Sequence, residues 1–240
     1  MVTWQDMSPA FKIYDKAKTK SFYDRFYQGR DFVQFPLADR FFIRAFFNKV
    51  QLPSGARILD LACGTGKYTH LLAAGGMRAV GIDFSEQGIH VARRRYPGVP
   101  FMVGDVLDLP FQVGCFDAVL CSGLSLFNEP DLSVLLPFVQ RTATFLKTGG
   151  WFVFVKTTAL TDRPNRRATR LDYSLKSYKE FFQSVDNLEI VNTAAVYPHL
   201  FVIFGQRAFD DARVTRVSST VARLTHIPVR VYLILKKRQP

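Results

Sequence analysis

The 240-residue sequence predicts an α/β fold with an open, doubly wound sheet. From residue 57 onward, short apolar runs of strand length alternate with segments of helical spacing, which is the pattern that βαβ units produce. The first run, Ile58–Leu61, leads through Gly64 and Gly66 into a helical pattern at 67–74. A strand that passes through a glycine turn into a helix favours ligand binding, because glycine carries no Cβ to block a close approach.

The individual elements follow from periodicity and from turn residues. We expect strands at about 57–62, 78–82, 101–103, 116–121, 151–156, 188–197 and 229–235. We expect helices at about 18–27, 37–50, 66–74, 85–95, 131–146, 174–184 and 207–225, with Ser85 capping the fourth of them. The stripe Phe41, Phe42, Phe46 and Phe47 in the second helix is expected to pack on the core. Periodicity alone establishes no more than an open α/β sheet.

Length and composition describe one globular unit. Apolar residues make up 48% of the chain and charged residues 22%, which is ordinary for a folded domain with a full core. We therefore expect a single domain over 1–240. Within it, 1–50 is predicted to be a helical N-terminal cap, 51–157 the ligand-binding core and 158–240 the substrate-side half.

The charge balance points to an anionic partner. Lysine and arginine number 32 against 20 aspartates and glutamates, a net charge of +12, which suits nucleic acid, a phosphorylated metabolite or a membrane surface. No stretch reaches the length of a membrane span, and the N-terminus lacks a signal pattern. Cys63, Cys115 and Cys121 show no metal-ligand spacing. We expect a cytoplasmic protein with reduced thiols and no metal site.

Polar residues stand where the predicted strands end, which is where open parallel sheets bind their ligands. Asp83 follows Gly66 by 17 residues, near the spacing at which an exposed acid meets ribose hydroxyls. Phe84 beside it offers an apolar face to a ring, Asp105 follows the third strand, and Ser122 follows the fourth. The alternative is structural: Asp60, Asp83 and Asp105 could each hold a tight turn or cap a helix.

The glycine loop excludes two common nucleotide motifs. It lacks the Lys-Ser/Thr pair of a phosphate loop, and Ala62 replaces the first glycine of a dinucleotide fingerprint, with compressed spacing. Five segments across about 58–156 instead resemble the class I S-adenosylmethionine-dependent methyltransferases, in particular those that act on small molecules. They are Asp60-x-Ala62-x-Gly64-x-Gly66, Asp83-Phe84, Gly104-Asp105-Val106, Phe116-Asp117-Ala118-Val119 and Leu146-Lys147-Thr148-Gly149-Gly150.

The resemblance implies a seven-stranded, mostly parallel, Rossmann-like sheet with a late antiparallel strand and an N-terminal helical lid. It implies S-adenosylmethionine as cofactor and S-adenosylhomocysteine as product. The implied cofactor-binding residues are Tyr23, Asp60, Ala62, Gly64, Gly66, Asp83, Phe84, Asp105, Val106 and Ser122. Among these, Asp83 would accept from the ribose hydroxyls and Asp105 from the adenine amino group, while the Val106 N–H would support the ring edge.

Two residues are candidates for the chemical step. The segment Tyr23–Phe32 is similar to the lid that folds over the cofactor in small-molecule methyltransferases, which implies that Tyr23 faces the reacting centre. The alternative for Tyr23 is an aromatic anchor between lid and core. His199, in a loop after the sixth strand, is a candidate general base, because an oxygen or protonated nitrogen nucleophile must lose a proton. His70 and His90 lie mid-helix and are expected to be structural or solvent-facing.

These observations predict in-line methyl transfer to an oxygen, nitrogen or carbon of a small molecule that is anionic or partly apolar. RNA methylation is the alternative that the charge favours, although Cys121-Ser122-Gly123-Leu124 stands where amino-directed nucleic-acid enzymes carry Asn/Asp-Pro-Pro-Tyr/Phe. The third hypothesis is a cofactor-binding protein without catalytic activity, or a peripheral membrane protein.

Two basic segments each have two alternative roles. The arginines of 160–173 could form an anion-binding lid or a solvated loop. In the last helix, Phe209, Val217, Val221 and Leu224 are expected to pack on the sheet. The alternative is that this helix docks on anionic lipid, or guides an acidic, partly apolar substrate, through its arginines, Arg213, Arg216 and Arg223.

Overall fold

The computed structural model describes residues 15–28, 39–40, 42–43, 46, 49–160, 162–164, 171–197, 211–225 and 228–239. Its strands are β1 Arg57–Leu61, β2 Arg78–Asp83, β3 Phe101–Val103, β4 Phe116–Ser122, β5 Leu146–Thr158, β6 Arg163–Pro164, β7 Leu171–Asp172, β8 Leu188–Val196 and β9 Val229–Lys237. Its helices are α1 Lys16–Tyr27, α2 Lys67–Ala74, α3 Glu86–Arg95, α4 Leu136–Thr144, α5 Leu175–Gln183 and α6 Ala212–Thr225. The described residues between 39 and 50 are helical as well.

Seven of these strands form one sheet in the order β3-β2-β1-β4-β5-β9-β8. The strands from β3 to β5 pair in parallel, and β9 runs antiparallel to both β5 and β8. The short strands β6 and β7 pair separately as a second, two-stranded sheet. The predicted fold class, a mostly parallel seven-stranded sheet with a late antiparallel strand, is confirmed.

Side chains on both faces of the sheet are buried, which is why its central strands lack a polar face. In β5, Phe152 and Phe154 belong to one apolar cluster, and Val153 and Val155 belong to another. This alternation follows from the two-residue period of a strand. Phe42 from the N-terminal helical segment lies in the second cluster, as expected, together with Phe46. Phe41 and Phe47 lie outside the described residues.

One predicted helix is shorter than expected. The segment at 131–146 begins with a 3₁₀ turn at Leu132–Leu135, continues as α4 and ends at Thr144. Leu146 already pairs with Phe116 of β4, so β5 begins five residues before its predicted start and runs through Gly149-Gly150. The register between β4 and β5 shifts before Trp151 pairs with Ala118, and Gly149 has a φ angle of 70°, so the two adjacent glycines still mark an irregularity within β5.

The helix α6 packs through a different face from the predicted one. Ser218 and Ala222 are its buried residues, whereas Val217 is 59% exposed and Leu224 is 76% exposed. Small side chains allow the helix backbone to approach the sheet, where the Ala195 N–H of β8 donates a weak 3.4 Å hydrogen bond to the Thr215 hydroxyl. The expectation that Val217 and Leu224 pack on the sheet is wrong, and Phe209, predicted for the same face, lies outside the described residues.

The strand directions place the ends of β1, β2, β3 and β4 at one edge of the sheet, where the loops that follow them converge. Among the described residues, no helix combines the length and apolar character that a membrane crossing requires.

Candidate cofactor and substrate site

The glycine loop turns sharply between β1 and α2. Ala62, Gly64 and Gly66 all have positive φ angles, at 57°, 54° and 79°. The Cys63 N–H donates to the Ile82 carbonyl at 3.0 Å, which ties the loop to β2. A Cβ on Gly66 would lie 2.5 Å from the Phe101 ring, so the loop requires glycine there for packing as well as for conformation. Ala62 is an L-residue in a left-handed conformation, which brings its Cβ close to the following carbonyl oxygen at a cost of about 1–2 kcal/mol.

Asp83 at the end of β2 is buried, with 4% of its surface exposed, so the expectation of an exposed acid is wrong. Its two carboxylate oxygens accept hydrogen bonds from the Gly64 N–H and the Ser85 N–H, each at 2.9 Å. Burial raises the pKa of Asp83 to about 6, against the effect of these two backbone bonds. The residue thus fixes the glycine loop relative to the start of α3 and also lines the cavity described below.

Asp60 at the end of β1 lies beneath the loop and is almost fully buried. Its Oδ2 accepts from the Thr69 hydroxyl at 2.6 Å, and its Oδ1 has no hydrogen-bond partner among the described residues. Burial raises the pKa of Asp60 to about 7; the Thr69 bond opposes this, and the charge of Asp83 adds to it. Asp60 is not among the described residues that line either cavity of the site.

A cavity of about 50 Å³ opens above the strand ends. Six of the cofactor-binding residues that the resemblance implies lie together in its lining. Its described lining consists of Tyr23, Tyr27, Ala62, Asp83, Phe84, Asp105, Val106, Gly123, Leu124 and Ser125. The rings of Tyr23 and Phe84 lie 6.0 Å apart, centroid to centroid. Aromatic faces beside two carboxylates are a chemical match to a nucleoside, whose ring stacks and whose hydroxyl and amino groups donate.

The helix α1 covers this cavity, as the predicted N-terminal lid should. Asp24 accepts hydrogen bonds from the Ser85 hydroxyl at 2.6 Å and from the Gln87 N–H at 3.3 Å. Lys20 lies 3.0 Å from a carboxylate oxygen of Glu86. These contacts attach the lid to the first turn of α3. At the other end of the lid, the Lys16 ammonium lies 2.5 Å from Asp105 Oδ2.

Tyr27 is a site residue that the sequence analysis missed. Its hydroxyl lies 2.6 Å from the position that a Cβ on Gly64 would take, so its ring covers the glycine loop. Burial raises the pKa of this phenol, and the nearby charge of Asp83 raises it further. The available signal was its spacing, because Tyr27 follows Tyr23 by four residues and therefore shares its helix face, where the two rings stack at 5.9 Å.

A second, more open cavity lies on the other side of Tyr27. It shares Tyr27, Ala62 and Gly123 with the first cavity and is also lined by Ser122. Its described lining carries three cationic side chains and no carboxylate: Lys67, Lys156 and Arg230. We call this space the cationic cleft.

The cations of the cleft are held by specific partners. Buried Asp39 accepts from Lys67, from the Tyr68 hydroxyl at 2.8 Å and from Arg230 at 2.5 Å. Lys156 donates to the Leu124 carbonyl and to the Asn128 side-chain oxygen, both at 2.9 Å. The lysine thereby connects β5 to the loop after β4.

Of the remaining candidate residues, some lie outside the described part of the chain and the others lie away from both cavities. His199, Arg166, Arg167 and Arg170 lie outside the described residues, as does the side chain of Arg163. His70 stacks on Tyr96 with the ring centroids 4.2 Å apart, and His90 is exposed on α3. Neither described histidine lines a cavity of the site, which agrees with the structural or solvent-facing role expected of them.

Comparison with known proteins gives the same family as the sequence motifs. Residues 58–150 match the family model of a methyltransferase domain. The chain is 49% identical over 104 residues to a demethylmenaquinone methyltransferase of Clavibacter sepedonicus, which covers 42% of this chain and 40% of that protein. It is 29% identical over 189 residues to the demethylmenaquinone methyltransferase of Staphylococcus saprophyticus, covering 73% of this chain and 79% of that protein.

The solved structures agree with the sheet topology. A SAM-dependent methyltransferase of Methanosarcina mazei superimposes with a TM-score of 0.58 at 17% identity, covering 81% of this chain and 98% of that one. At this identity the likeness establishes the fold. The match to the Clavibacter relative spans less than half of that protein's length. The family-model match over residues 58–150 includes the glycine loop and the ends of β1 to β4.

Proposed function

Residues 58–150 form a methyltransferase domain of the class I fold, and on this premise we propose that the protein transfers a methyl group from S-adenosylmethionine to a small molecule. The observation that carries the proposal is the lining of the first cavity, in which Asp83, Phe84, Asp105 and Val106 converge from the ends of β2 and β3. These residues suit the adenosine part of the cofactor.

The proposed roles follow from the chemistry of each group. Phe84 and Val106 would flank the adenine ring, Asp105 would accept from its amino group, and Asp83 would accept from the ribose. The loop at Ala62–Gly64 would face the methionine part once the Tyr27 ring moves aside. The cofactor supplies an electrophilic methyl on a sulfonium, so the protein contributes chiefly orientation and exclusion of water.

For the acceptor, we propose a hydroxylated aromatic ring with an apolar substituent. The named relatives act on demethylmenaquinone, whose reduced form has this chemistry. The cationic cleft supports the same class, since it combines apolar and aromatic residues (Phe26, Tyr27, Tyr68 and Val155) with its cations. Tyr23, which lines the cofactor cavity, is proposed to orient the reacting centre, and the proposal that His199 acts as a base is kept for an acceptor that must lose a proton.

The test combines binding with turnover. Calorimetric titration with S-adenosylhomocysteine should show binding by the wild-type protein. Incubation with methyl-labelled S-adenosylmethionine and a short-chain 2-prenyl-1,4-naphthohydroquinone should give a labelled, ring-methylated hydroquinone, which is detected as the quinone after oxidation in air. Asp105→Asn should weaken S-adenosylhomocysteine, and Asp108→Asn, three residues further along the same loop, serves as the matched control. Absence of S-adenosylhomocysteine binding by the folded wild-type protein would refute the proposal.

We also propose that α6 contacts an anionic membrane surface, which would bring the enzyme to an apolar acceptor. The exposed face of α6 combines Val217 and Leu224 with Arg216 and Arg223, and the helix contains no acidic residue. Arg213 is partly neutralised by its ion pair with Asp211. Apolar and cationic groups on one exposed face are the combination that anionic bilayers attract.

The membrane proposal is tested by co-sedimentation with vesicles of phosphatidylcholine, with and without phosphatidylglycerol. Binding should require the anionic lipid and weaken as salt rises. Arg216→Gln with Arg223→Gln should abolish it, whereas Arg94→Gln, an exposed arginine on α3, should leave it unchanged. Equal binding to neutral vesicles would contradict the proposal. Salt-sensitive binding of transfer RNA without any vesicle binding would favour the RNA alternative.

We further propose that the enzyme works in the reducing cytoplasm, as its three unbonded cysteines suggest.

A further inference from the structure

The loop that follows β3 forms one wall of the first cavity, because Asp105 and Val106 both line it. The loop turns tightly around Asp105: the Leu107 N–H donates to Asp105 Oδ1 at 3.0 Å, and the Asp108 N–H donates to the Asp105 carbonyl at 3.0 Å. The other carboxylate oxygen, Oδ2, lies 2.5 Å from the Lys16 ammonium of the lid. Oδ1 therefore belongs to the turn, and Oδ2 is the oxygen that a ligand can reach in place of Lys16.

Arg141 on α4 connects this turn to the rest of the domain. Its Nη1 and Nη2 donate to the carbonyl oxygens of Leu107 and Leu109, at 3.1 and 3.2 Å. The planar fork of a guanidinium suits two acceptors at once, because its N–H groups have a fixed geometry. Leu107 is thus held on both sides, since its N–H donates to Asp105 and its carbonyl accepts from Arg141.

The two carbonyl oxygens depend on a donor from the protein. Leu107 and Leu109 are almost fully buried, so water does not replace a lost partner unless the loop moves. Buried carbonyl groups in folded proteins are nearly always paired, because an unpaired one keeps the full cost of its desolvation. Removal of the guanidinium should therefore shift the turn.

The helix that carries Arg141 is a rigid support for the turn. Four neighbouring residues of α4 are buried against the domain: Phe138, Val139, Thr142 and Ala143. The position of the turn is therefore set by the packed core and not by the surface loop alone.

Resting on the function proposed above, we infer that Arg141 is a positioning residue for the adenine end of the cofactor. It fixes the turn that presents Asp105, and it thereby sets the preference of the site for an amino group over a carbonyl oxygen on the purine. Arg141 is not among the described residues that line the first cavity, so it acts through the turn and not by contact with the ligand.

The chemical basis is the placement of Asp105 Oδ2. A carboxylate oxygen accepts from the adenine amino group, and it repels the carbonyl oxygen that hypoxanthine carries at the same ring position. This discrimination requires Oδ2 to lie within hydrogen-bond distance of the amino nitrogen, and a hydrogen bond weakens steeply when its geometry is distorted. A shifted turn should therefore remove the advantage of adenine, while contacts with the ribose and the methionine part remain.

Two ligands that differ at the purine test this role. S-adenosylhomocysteine carries the amino group, and S-inosylhomocysteine carries a carbonyl oxygen in its place and a proton on the adjacent ring nitrogen. Calorimetric titration gives the dissociation constant of each, and a uniform loss of affinity cancels in their ratio. The wild-type protein should prefer S-adenosylhomocysteine by about tenfold or more.

Substitutions of Arg141 should change this ratio. Arg141→Leu should lower it to within about threefold of unity, and Arg141→Lys, which keeps a donor for one of the two carbonyls, should recover part of it. Arg141→Gln also removes the fork and provides a milder variant in case Arg141→Leu fails to fold. In an Asp105→Ala background, Arg141→Leu should lower the ratio by a smaller factor than in the wild-type background, since the two residues act as a unit.

Arg93→Leu is the matched control. Arg93 on α3 also donates to a backbone carbonyl, that of Phe101 in β3, at 2.8 Å from its Nη2. It is not among the described residues that line either cavity. The control should lose stability in urea unfolding and keep the wild-type ratio.

The outcomes separate this role from the proposed function. A wild-type ratio that survives both Arg141→Leu and Arg141→Gln would overturn the role of Arg141, and so would an equal effect of Arg141→Leu with and without Asp105. Equal affinity of the wild-type protein for the two ligands would overturn it as well and leave methyl transfer standing. Failure to bind S-adenosylhomocysteine would instead count against the proposed function itself.

Discussion

The two glycines of the loop between β1 and α2 should respond differently to the same substitution. Gly66→Ala places an L-residue at φ 79°, which costs about 1–2 kcal/mol. Its Cβ would lie 2.5 Å from the Phe101 ring and 2.9 Å from the Ala92 Cβ. Overpacking of a closed core site costs about 1–3 kcal/mol more. We therefore expect a loss of about 2–5 kcal/mol in the free energy of unfolding, a large share of a typical total of about 5–15 kcal/mol.

Gly64→Ala meets a different neighbour. Its φ angle is 54°, so the conformational cost of about 1–2 kcal/mol is similar. The nearest atom to its Cβ is the Tyr27 hydroxyl, the far end of a lid side chain that can turn aside. We expect this variant to remain folded, to lose little beyond the conformational cost, and to bind S-adenosylhomocysteine much more weakly, because the added methyl faces the ligand side of the loop.

Urea unfolding and calorimetric titration with S-adenosylhomocysteine measure the two effects separately. Gly98→Ala is the control, since it also has a positive φ angle but its Cβ would meet no atom within 4 Å. It should show the conformational cost with unchanged affinity. If Gly66→Ala is no less stable than Gly98→Ala, the packing argument is wrong. If Gly64→Ala binds normally, the loop does not face the cofactor.

Three further predictions concern titration and the lid. The pKa of Asp60 is about 7 in the folded protein, above its ordinary value of 3.8. Its contribution to stability is therefore present below about pH 4 and is lost as the pH rises through about 7. Between pH 5 and pH 8, the free energy of unfolding measured in urea should decline less for Asp60→Asn than for the wild-type protein. The pKa of Asp83 is about 6, so S-adenosylhomocysteine affinity should rise with pH across that value, and titration of a folded Asp83→Asn that retains the same rise would exclude Asp83 as its source. Lys16→Ala frees Asp105 from its ion pair and should tighten S-adenosylhomocysteine binding by up to about fivefold. Lys18 pairs instead with Asp15, which caps α1, so Lys18→Ala should leave the affinity unchanged. Equal effects of the two variants would show that Lys16 does not compete with the cofactor for Asp105.

The sheet was predictable from the sequence because its strands are local apolar runs with turn residues between them. The order of the site residues was predictable too, since Asp83, Asp105 and Ser122 each close a strand, and parallel strands end at one edge. The orientation of α6 was not predictable from hydrophobicity, because small residues, Ser218 and Ala222, face the sheet while Val217 and Leu224 are exposed. The division into cap, core and substrate-side half stays a prediction.

The cationic cleft escaped the sequence analysis for a related reason. Asp39, Lys67, Lys156 and Arg230 come from four distant segments, and nothing in their local patterns separates them from solvated charges. Arg230 and Asp39 are 191 residues apart in sequence, yet their side chains meet because β9 inserts between β5 and β8. Contacts that depend on the order of strands in a sheet carry no short-range signal.

The position of Tyr27 connects the two cavities. Its ring lines both of them and covers Gly64, while its helix is attached to α3 through Asp24 and to Asp105 through Lys16. A ligand that contacts the glycine loop must displace this ring, and the same displacement enlarges the cationic cleft. The cost of displacing this ring is then met once, by whichever ligand binds first. Acceptor affinity should therefore rise when S-adenosylhomocysteine is bound, and by linkage the acceptor should raise S-adenosylhomocysteine affinity by the same factor. Tyr27→Ala, which leaves no ring to displace, should reduce this coupling, and calorimetric titrations of each ligand with and without the other measure it. Independent binding in the wild-type protein would show that Tyr27 does not connect the two sites.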